Sequence, residues 1–381
     1  MTIFETIFWG SFGLILYIYF LYPLVASFLT LFFSKELAIG DKDMFLPDVS
    51  LIMAAYNEED HIEAKIKNCL SLDYPKDKLE IIIGSDGSDD KTNEIAKKYS
   101  TEISFFSYSQ RRGKMAVIND CVSHAKGELL VFSDIYELFE GDAIKKLIRN
   151  FADPTIGAVT GNHISNPSTT EIGKATLLYW RYQRWLQSTE SRLETILSCD
   201  GTIYACRRNL FVPPPEGTIN DDKAVPMGVI QQGYRVVFEP EAIARGDLIH
   251  KPKAFFNQKV RGQSGMYQIF WLFRDMFRPQ KPLLWFIFLS HGVGPVLVPW
   301  LLLVLLLSNL VLYKIFPYNV LLVLQLLFYL SSIMGAISNH LKVRIPLVHL
   351  PLFFVISNTA SLVGFWAYIF KVQKATWKKV A

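Results

Sequence analysis

The chain has 381 residues, a formal net charge of +4 and a hydrophobic content of 51%. So small a charge does not favour nucleic acid as a partner, and the apolar content is too high for an ordinary soluble enzyme. The apolar residues concentrate at the two ends of the chain. The composition therefore indicates a membrane protein with one water-facing domain, over about residues 41–280.

The first predicted element is a membrane anchor. No charged residue occurs from Thr6 to Ser34, a run longer than the roughly 20 apolar residues that cross a bilayer. The run lacks the basic flank and the small-residue cleavage site of a signal peptide, so residues 1–40 are interpreted as a retained anchor and linker.

Strands alternate with helices in the first half of the middle domain. The predicted strands are Val49–Ala55, Leu79–Gly84, Glu102–Ser107 and Leu129–Phe132. A helix is expected after each of the first three strands, and Asn57 is the expected N-cap of the first helix. This alternation predicts βαβ units on a mostly parallel sheet, so the fold class is α/β.

The second half of the domain is less regular and completes a unit over residues 41–250. Its predicted elements are a strand at Ile156–Asn162, a helix at Lys174–Leu193, a strand at Thr202–Cys206, a helix from Asn220 to near Gly233, and a strand at Tyr234–Glu239. Residues 251–281 mix aromatic and basic side chains, which is typical of amphipathic helices at a bilayer surface.

The C-terminal region predicts about three further spans over residues 282–371, followed by a basic tail at 372–381. The uncharged runs are Pro282–Tyr313, Ile315–Asn339 and Ile345–Phe370. With one anchor before the domain, three later spans put the tail on the opposite side of the membrane from the domain. The lysines of the tail favour the cytoplasmic side instead.

Acidic residues recur at predicted strand ends or helix starts: Asp86, Asp134, and the pair Asp221 and Asp222. A basic loop, Arg111–Lys114, lies between the first two. Because ligands bind at the carboxyl ends of strands in open α/β sheets, these groups could hold a cation and a diphosphate and accept a proton. Sugar transfer from a nucleotide diphosphate and generic nucleotide binding both remain open at this point. No GxxxxGK[ST] or GxGxxG motif is present, which argues against an ATPase and a dehydrogenase.

Several motifs, in this order and spacing, resemble those of family 2 glycosyltransferases of the membrane-bound branch that builds polysaccharides or glycolipids. They are PDVSLIMAAYNEED (47–60), GSDGSDDKT (84–92), Arg112-Gly-Lys114 with Asn119, Gly127–Asp134, Asp221-Asp222 and Gln258-Lys-Val-Arg261. The resemblance covers about residues 47–265. It implies a GT-A (Rossmann-like) nucleotide-sugar domain with flanking transmembrane helices, a nucleotide-sugar donor, Mg²⁺ or Mn²⁺ as cofactor, and inversion at the anomeric carbon.

The resemblance also implies roles for single residues. Asp222 matches the catalytic base, and Asp134 matches the aspartate on the metal side. The residues implied to bind substrate are Ala55, Tyr56, Glu58 and Asp86 for the nucleotide, Lys114 and Asp221 near the nucleotide-sugar, and Gln258 and Arg261 beside the diphosphate and acceptor.

Two positions depart from the family pattern. The DxD motif reads Asp134-Ile-Tyr136, so the second metal carboxylate is missing, and Glu137 is the nearest substitute in the sequence. Gly262 stands where the QxxRW motif has its tryptophan, which argues against processive polymer synthesis.

The resemblance implies transfer of a hexosyl or N-acetylhexosaminyl group, from a UDP-sugar in the first place, to a lipid-linked or saccharide acceptor. A processive synthase of the cellulose, hyaluronan, chitin or poly-N-acetylglucosamine type is one alternative. A non-catalytic, partner-binding subunit with the same fold is another. Membrane lipids are expected partners, and nucleic acid is not. The expected location is a bacterial inner membrane with the catalytic domain in the cytoplasm.

Overall fold

A mixed sheet of eight strands carries the middle domain. In the computed structural model, which describes residues 2–35, 45–165, 171–246, 252–279, 281–341 and 348–373, the strands run in the order β3-β2-β1-β4-β7-β6-β8-β5. Their bounds are β1 Val49–Ala55, β2 Leu79–Asp86, β3 Ser104–Tyr108, β4 Leu129–Ser133, β5 Leu138–Phe139, β6 Ile156–Ser165, β7 Tyr204–Arg207 and β8 Arg235–Gly246.

The first four strands in space, β3-β2-β1-β4, are all parallel, so their carboxyl ends lie at one edge. Every residue of β1 and β4 is buried, as expected for strands covered on both faces. In this register Ala55 lies opposite Ser85, and Met53 lies opposite Ser133. The residues that follow these strands therefore meet at the same edge of the sheet.

The other half of the sheet is mixed. β7 pairs antiparallel with both β4 and β6, β6 pairs parallel with β8, and β5 pairs antiparallel with β8. The prediction of a mostly parallel sheet therefore holds only for the half formed by β3, β2, β1 and β4. β5 was not predicted, because this two-residue strand exists only where β8 continues past Glu239 to Gly246 and pairs with it.

The helices of the domain follow the predicted order with corrected ends, except that the helix Ala143–Ile148 was not predicted. They are α2 Ile62–Leu70, α3 Thr92–Lys97, α4 Lys114–His124, α5 Ala143–Ile148, α6 Glu171–Leu193, α7 Asp221–Gln231 and α8 Pro252–Leu272. The expected cap of α2 was wrong, because its N-cap is His61 and Asn57 has a left-handed φ of 54°. The Asn57 side chain instead contacts the loop after β2, where its Oδ1 accepts a hydrogen bond from the Asp89 backbone N–H at 3.0 Å.

Among the described residues, four helices are long and apolar enough to cross a membrane, as the sequence predicted. They are α1 Ile3–Phe33, α9 Pro282–Val311, α10 Tyr318–Leu341 and α11 His349–Ile369. The number and the position of these helices are those of an integral membrane protein. The predicted boundaries at residues 40–41, 250–251 and 281–282 stay predictions, and the basic tail beyond 373 lies outside the described residues.

The domain and the apolar helices are joined at two places. Glu190 of α6 is buried and accepts a hydrogen bond from the Tyr22 hydroxyl of α1, and it also lies 2.8 Å from Nδ1 of His291 in α9. Helix α8 packs closely on α11, where a Cβ on Gly364 would come within 2.9 Å of the Val260 carbonyl oxygen. These contacts fix the position of the domain relative to the apolar helices.

Candidate active site

Asp86 holds a loop at the carboxyl edge of the sheet. Its buried carboxylate accepts hydrogen bonds from the backbone N–H groups of Arg112 at 2.6 Å and Gly113 at 2.9 Å. Gly113 has a φ of 100°, which favours glycine, and a Cβ on Gly87 would lie 2.9 Å from the Arg111 backbone nitrogen. Asp86 therefore fixes the loop that introduces α4. Its predicted contact with the base or ribose stays a prediction.

The residues after β1 form the neighbouring wall. The guanidinium carbon of Arg111 lies 3.5 Å from the ring centroid of Tyr56, within the range of a cation–π contact. Ala55 is fully buried at the end of β1. Glu58 is also buried, and its backbone N–H donates to Oγ1 of Thr92 at 2.7 Å. The three residues predicted to line the nucleotide pocket thus lie beside the loop that Asp86 holds.

Lys114 joins two of the predicted carboxylates. Its Nζ lies 2.9 Å from Oδ1 of Asp134 and 3.1 Å from Oδ2 of Asp221. Burial lowers the pKa of Lys114, but the two carboxylates raise it more, so that the pKa lies above its usual value. The Tyr204 hydroxyl also approaches Oδ2 of Asp221, at 3.4 Å. Residues from β4, α4 and α7 thus meet in one charged group, in which Lys114 stays protonated.

The surroundings of Asp134 show what a metal ion could use there. The Tyr136 hydroxyl donates to Oδ2 of Asp134 at 3.2 Å, at the position of the missing carboxylate. Glu137 is buried, and its carboxylate lies 3.1 Å from Nε2 of His163, so it does not replace the missing group. Among the described residues, no group of three or more His, Cys, Asp or Glu side chains could hold a metal ion.

The donor set nevertheless fits a cation that is held mainly by its substrate. Mg²⁺ usually keeps waters and binds through one or two carboxylates together with substrate phosphates. Asp134 offers one carboxylate of this kind, with a side chain that is 21% exposed. A cation brought by a diphosphate could therefore bind at Asp134, but this chain could not enclose the ion by itself.

Asp222 lies in the first turn of α7, next to the group around Lys114. Burial raises its pKa, the charge of Lys223 lowers it, and Asp221 raises it again, with a net rise. A raised pKa suits a carboxylate that has to take up a proton. Asp222 is also more open than Asp221, which is buried and engaged with Lys114.

Two hydrogen bonds join helix α8 to the segment just before α7. An Nη2 group of Arg261 donates to the Ile219 carbonyl oxygen at 3.3 Å, and Nδ2 of Asn220 donates to the Gly262 carbonyl oxygen at 2.9 Å. The buried Nε of Arg261 has no hydrogen-bond partner within the described parts of the chain. Gln258 is exposed on the same helix. Arg261 is thus placed near the start of α7, one turn of helix from Gln258.

Some contributors to the site were not identified from the sequence. Arg112 belongs to the Arg112-Gly-Lys114 motif, but its partners could not be identified: it donates to Oδ2 of Asp120 at 2.6 Å and to Oε1 of Glu216 at 3.1 Å. It thereby joins the loop held by Asp86 to the proline-rich loop before α7. From the sequence, Tyr136 was only the residue that replaces the second aspartate of DxD. No local pattern indicated its hydrogen bond to Asp134.

The comparisons with known proteins agree with this arrangement. The sequence model of "Glycosyl transferase family 2" matches residues 50–212, which contain Asp86, Lys114 and Asp134. The comparisons support a family 2 glycosyltransferase. Poly-beta-1,6-N-acetyl-D-glucosamine synthase of Staphylococcus aureus (strain MSSA476) is 28% identical over 243 residues, 62% of this chain and 58% of that protein. The synthase of the same name from Staphylococcus epidermidis is 26% identical over 252 residues, 64% of this chain and 60% of that protein. The alignments thus cover less than two thirds of the relatives' own length.

A solved structure supports the fold of this glycosyltransferase over almost its whole length. It is the mannosyltransferase PcManGT from Pyrobaculum calidifontis in complex with GDP-Man and Mn²⁺. The two chains are 20% identical and superimpose with a TM-score of 0.74, over 97% of this chain and 99% of that one. At this identity the likeness establishes the GT-A fold with its flanking apolar helices, and nothing about the sugar.

Proposed function

We propose that this glycosyltransferase inverts the anomeric carbon and moves a sugar from a nucleotide diphosphate-sugar, a UDP-sugar in the first place, to a lipid-linked or saccharide acceptor at the membrane. The supporting observation is the contact of Lys114 with both Asp134 and Asp221, beside Asp222. Cation and carboxylates stand together at the edge of the sheet where α/β domains bind ligands. Sugar transfer needs a positive charge beside the diphosphate and a carboxylate that accepts the hydroxyl proton, so its site needs both kinds of group.

The proposed reaction is one displacement. The acceptor hydroxyl oxygen forms a bond to the anomeric carbon, while the bond from that carbon to the diphosphate oxygen breaks and its electron pair leaves with the nucleoside diphosphate. The hydroxyl proton passes to Asp222, the proposed base. Lys114 and Arg261 would stabilise the negative charge that develops on the diphosphate. Attack on the face opposite the leaving group gives inversion.

Asp134 would hold Mg²⁺ or Mn²⁺ together with the donor diphosphate. When bound, such a cation neutralises charge on the leaving group. The ammonium of Lys114 contacts Oδ1 of Asp134 and is positively charged, as the metal ion would be. The chain therefore already places one positive charge beside this carboxylate. The proposal therefore assigns most of the metal ligands to the substrate.

The direct test is a panel of UDP-, GDP- and dTDP-sugars, with nucleoside diphosphate release as the readout for the purified full-length protein in lipid nanodiscs. We expect one donor to be turned over clearly faster than the others, and Asp222→Asn to slow that turnover. Folded protein that binds a nucleotide sugar but releases no diphosphate from any donor would support the non-catalytic alternative.

A processive polysaccharide synthase is the second candidate, because synthases with that printed name align with 62% of this chain at 28% identity. Gly262 opposes it, since a glycine cannot supply the indole of QxxRW, and its carbonyl oxygen is bonded to Asn220. Product length separates the two candidates. A ladder of products from one acceptor indicates a synthase, and a product longer by one sugar indicates single transfer.

We further propose a bacterial inner membrane as the location, with the catalytic domain in the cytoplasm, where nucleotide sugars are made. The four apolar helices would contact membrane lipids directly. Nucleic acid is not a proposed partner, because the net charge of +4 is modest and the basic residues cluster near the apolar segments.

A further inference from the structure

Two lysines lie where the catalytic domain meets the apolar helices: Lys223 in the first turn of α7 and Lys259 on α8. The Nζ of Lys259 lies 4.7 Å from the ring centroid of Tyr179 and 5.5 Å from that of Phe255. Both rings contact Phe353 near the start of α11, with centroids 5.6 and 5.4 Å apart. Lys259 therefore stands among aromatic rings that reach from the domain to an apolar helix.

The charge of Lys259 has no carboxylate beside it among the described residues, whereas Lys223 acts on the neighbouring Asp222. Within the described residues, neither Lys223 nor Lys259 forms an ion pair with a carboxylate. Burial lowers the pKa of Lys259 to about 8, and the charge of Lys223 lowers it as well. Keeping two like charges close in a partly buried place costs free energy unless an anion joins them. Lys259, with Lys223 nearby, is thus placed for an anionic group that the described residues do not supply to it.

The position of the pair relates it to the proposed reaction. Lys223 follows Asp222 directly in the chain, and its charge acts on both Asp222 and Lys259. On the other side, Phe353 belongs to an apolar helix. A molecule bound at the lysines would have Asp222 on one side and the membrane on the other.

We propose that Lys223 and Lys259 bind a phosphate group of the acceptor, so that the acceptor is a saccharide linked to a lipid through phosphate or diphosphate. This inference rests on the proposed sugar transfer, because it identifies the acceptor of that reaction. The lipid chain would follow the apolar face of α8 and α11, and the sugar next to the phosphate would point towards Asp222. Lysine ammonium groups bind phosphate as point charges, and aromatic rings suit the membrane interface.

Two other ligands fit less well. A saccharide without phosphate would leave the charge of Lys259 unbalanced, although it could lie on the rings. A bulk phospholipid headgroup needs lysines that are open to the bilayer surface, as Lys253 of α8 is. Lys259 is partly buried among rings, which favours a ligand that enters a defined place.

The test uses the reactivity of Lys259 itself, and so it depends neither on the donor nor on the acceptor sugar. With a pKa of about 8, an appreciable fraction of Lys259 is neutral at pH 8 and reacts with an acetylating reagent. Mass spectrometry then measures acetylation of the full-length protein in neutral-lipid nanodiscs. The added probes are farnesyl phosphate, farnesol, inorganic phosphate and phosphatidylglycerol. We expect farnesyl phosphate to slow acetylation of Lys259 by roughly tenfold, because a bound phosphate covers the amine and raises its pKa.

Matched controls make the result specific. Acetylation of Lys253, on the same helix, should not respond to farnesyl phosphate. Lys223→Gln should raise the farnesyl phosphate concentration that gives half protection by roughly tenfold, and Lys223→Arg should restore it. Inorganic phosphate should protect only at much higher concentration, because it lacks the lipid chain.

Three results would overturn the inference: no protection by farnesyl phosphate, equal protection by farnesol, or equal protection by phosphatidylglycerol at the same mole fraction. The last would identify a general headgroup site. Failure of the proposed function looks different. Diphosphate release without protection of Lys259 removes the acceptor assignment and leaves sugar transfer in place, whereas protection without release from any donor removes sugar transfer.

Discussion

Lys114 places its Nζ 2.9 Å from Oδ1 of Asp134, with Asp221 on its other side at 3.1 Å. The two carboxylates come from distant parts of the chain, and the single ammonium of Lys114 contacts both. A donor diphosphate that enters this place brings negative charge next to both carboxylates. Lys114 is therefore needed twice, to hold the carboxylates and to neutralise the diphosphate.

Lys114→Met should lower turnover by on the order of 10²-fold, the usual loss when one stabilising donor for a developing anion is removed. The methionine keeps the length of the side chain and removes the charge. Initial rates of nucleoside diphosphate release at saturating donor measure the loss. Lys114→Arg, which keeps the charge, should retain more activity than the methionine variant. Near wild-type turnover in Lys114→Met would remove this lysine from the reaction.

Asp134→Ala should abolish turnover, and a chelator should inhibit the wild-type protein, with Mg²⁺ or Mn²⁺ restoring activity. The reason is that Asp134 is the carboxylate available to a cation on the diphosphate, since Glu137 is engaged with His163. Diphosphate release with and without chelator measures both effects. Asp77→Ala, at an exposed aspartate before β2, is the control and should stay active. Full wild-type activity in excess chelator would assign the leaving-group charge to Lys114 and Arg261 alone.

The half of the fold formed by β3, β2, β1 and β4 could be predicted because its signals are local. The apolar run Val49–Ala55 has the same bounds in the sequence prediction and in the structure, since a strand buried on both faces is continuously apolar. β5 and the end of β8 could not be predicted, because they depend on pairing between Leu138–Phe139 and residues more than a hundred positions later. The false cap at Asn57 has the same origin, a bond to a distant loop.

The candidate site could likewise be predicted only in part: the placement of its residues follows from the sequence, and their partners do not. Strand ends of parallel β-strands meet at one edge, so the closeness of Asp86 and Asp134 to that edge follows from the pattern of elements. What each carboxylate binds does not follow. Asp86 is satisfied by two backbone N–H groups, and Glu137 turns to His163, because neighbouring loops supply those partners.

The pair of His163 and Glu137 predicts a pH dependence of stability. Burial lowers the pKa of His163, but the bond to Glu137 and the charge of Asp200 raise it more, so the folded-state pKa lies above the unfolded value of about 6.5. Charged His163 therefore stabilises the fold fully below about pH 6.5, and this contribution is lost as the pH rises through the folded-state pKa.

His163→Gln should accordingly lower the melting temperature at pH 6 and have a smaller effect at pH 8.5. The sign of the difference follows from the raised folded-state pKa of His163. Thermal unfolding of the protein in nanodiscs at both pH values measures it. In a Glu137→Gln background the pH dependence of the His163→Gln effect should shrink. An equal effect of His163→Gln at the two pH values would contradict the assignment.

Four spans predict that both termini lie on the side of the membrane opposite the catalytic domain. Since all four cysteines are buried, an impermeant maleimide would report introduced cysteines at Thr2→Cys, Lys98→Cys and Gln373→Cys. We expect the first and third to be labelled in intact cells, and the domain position Lys98→Cys only in inverted vesicles. If Gln373→Cys were labelled only in inverted vesicles, as the lysines of the tail favour, one of the apolar helices would not cross.

Asp222→Asn tests the proposed base against a merely structural role at the start of α7. An acceptor hydroxyl is a poor nucleophile at neutral pH, and positioned acid–base catalysis gives about 10²–10⁴-fold in rate. The N-cap of α7 is Asn220, and Asp222 lies in the first turn of the helix. Asparagine has the same shape as aspartate, so the substitution removes the proton acceptor and leaves the cap in place.

We expect Asp222→Asn to fold, to bind donor normally and to lose turnover by on the order of 10²-fold or more. Donor titration by calorimetry and rates of diphosphate release with acceptor give the two halves of that result. Asp221→Asn is the matched variant, and it should act differently, because Asp221 is held by Lys114 and Tyr204 while Asp222 has the raised pKa. Loss of the Asp221 charge removes one of the two carboxylates that position Lys114, and it should therefore impair donor binding as well as turnover. If Asp222→Asn were active while Asp221→Asn bound donor normally and were inactive, Asp221 would be the base, and its bond to Lys114 would have to break when the donor enters.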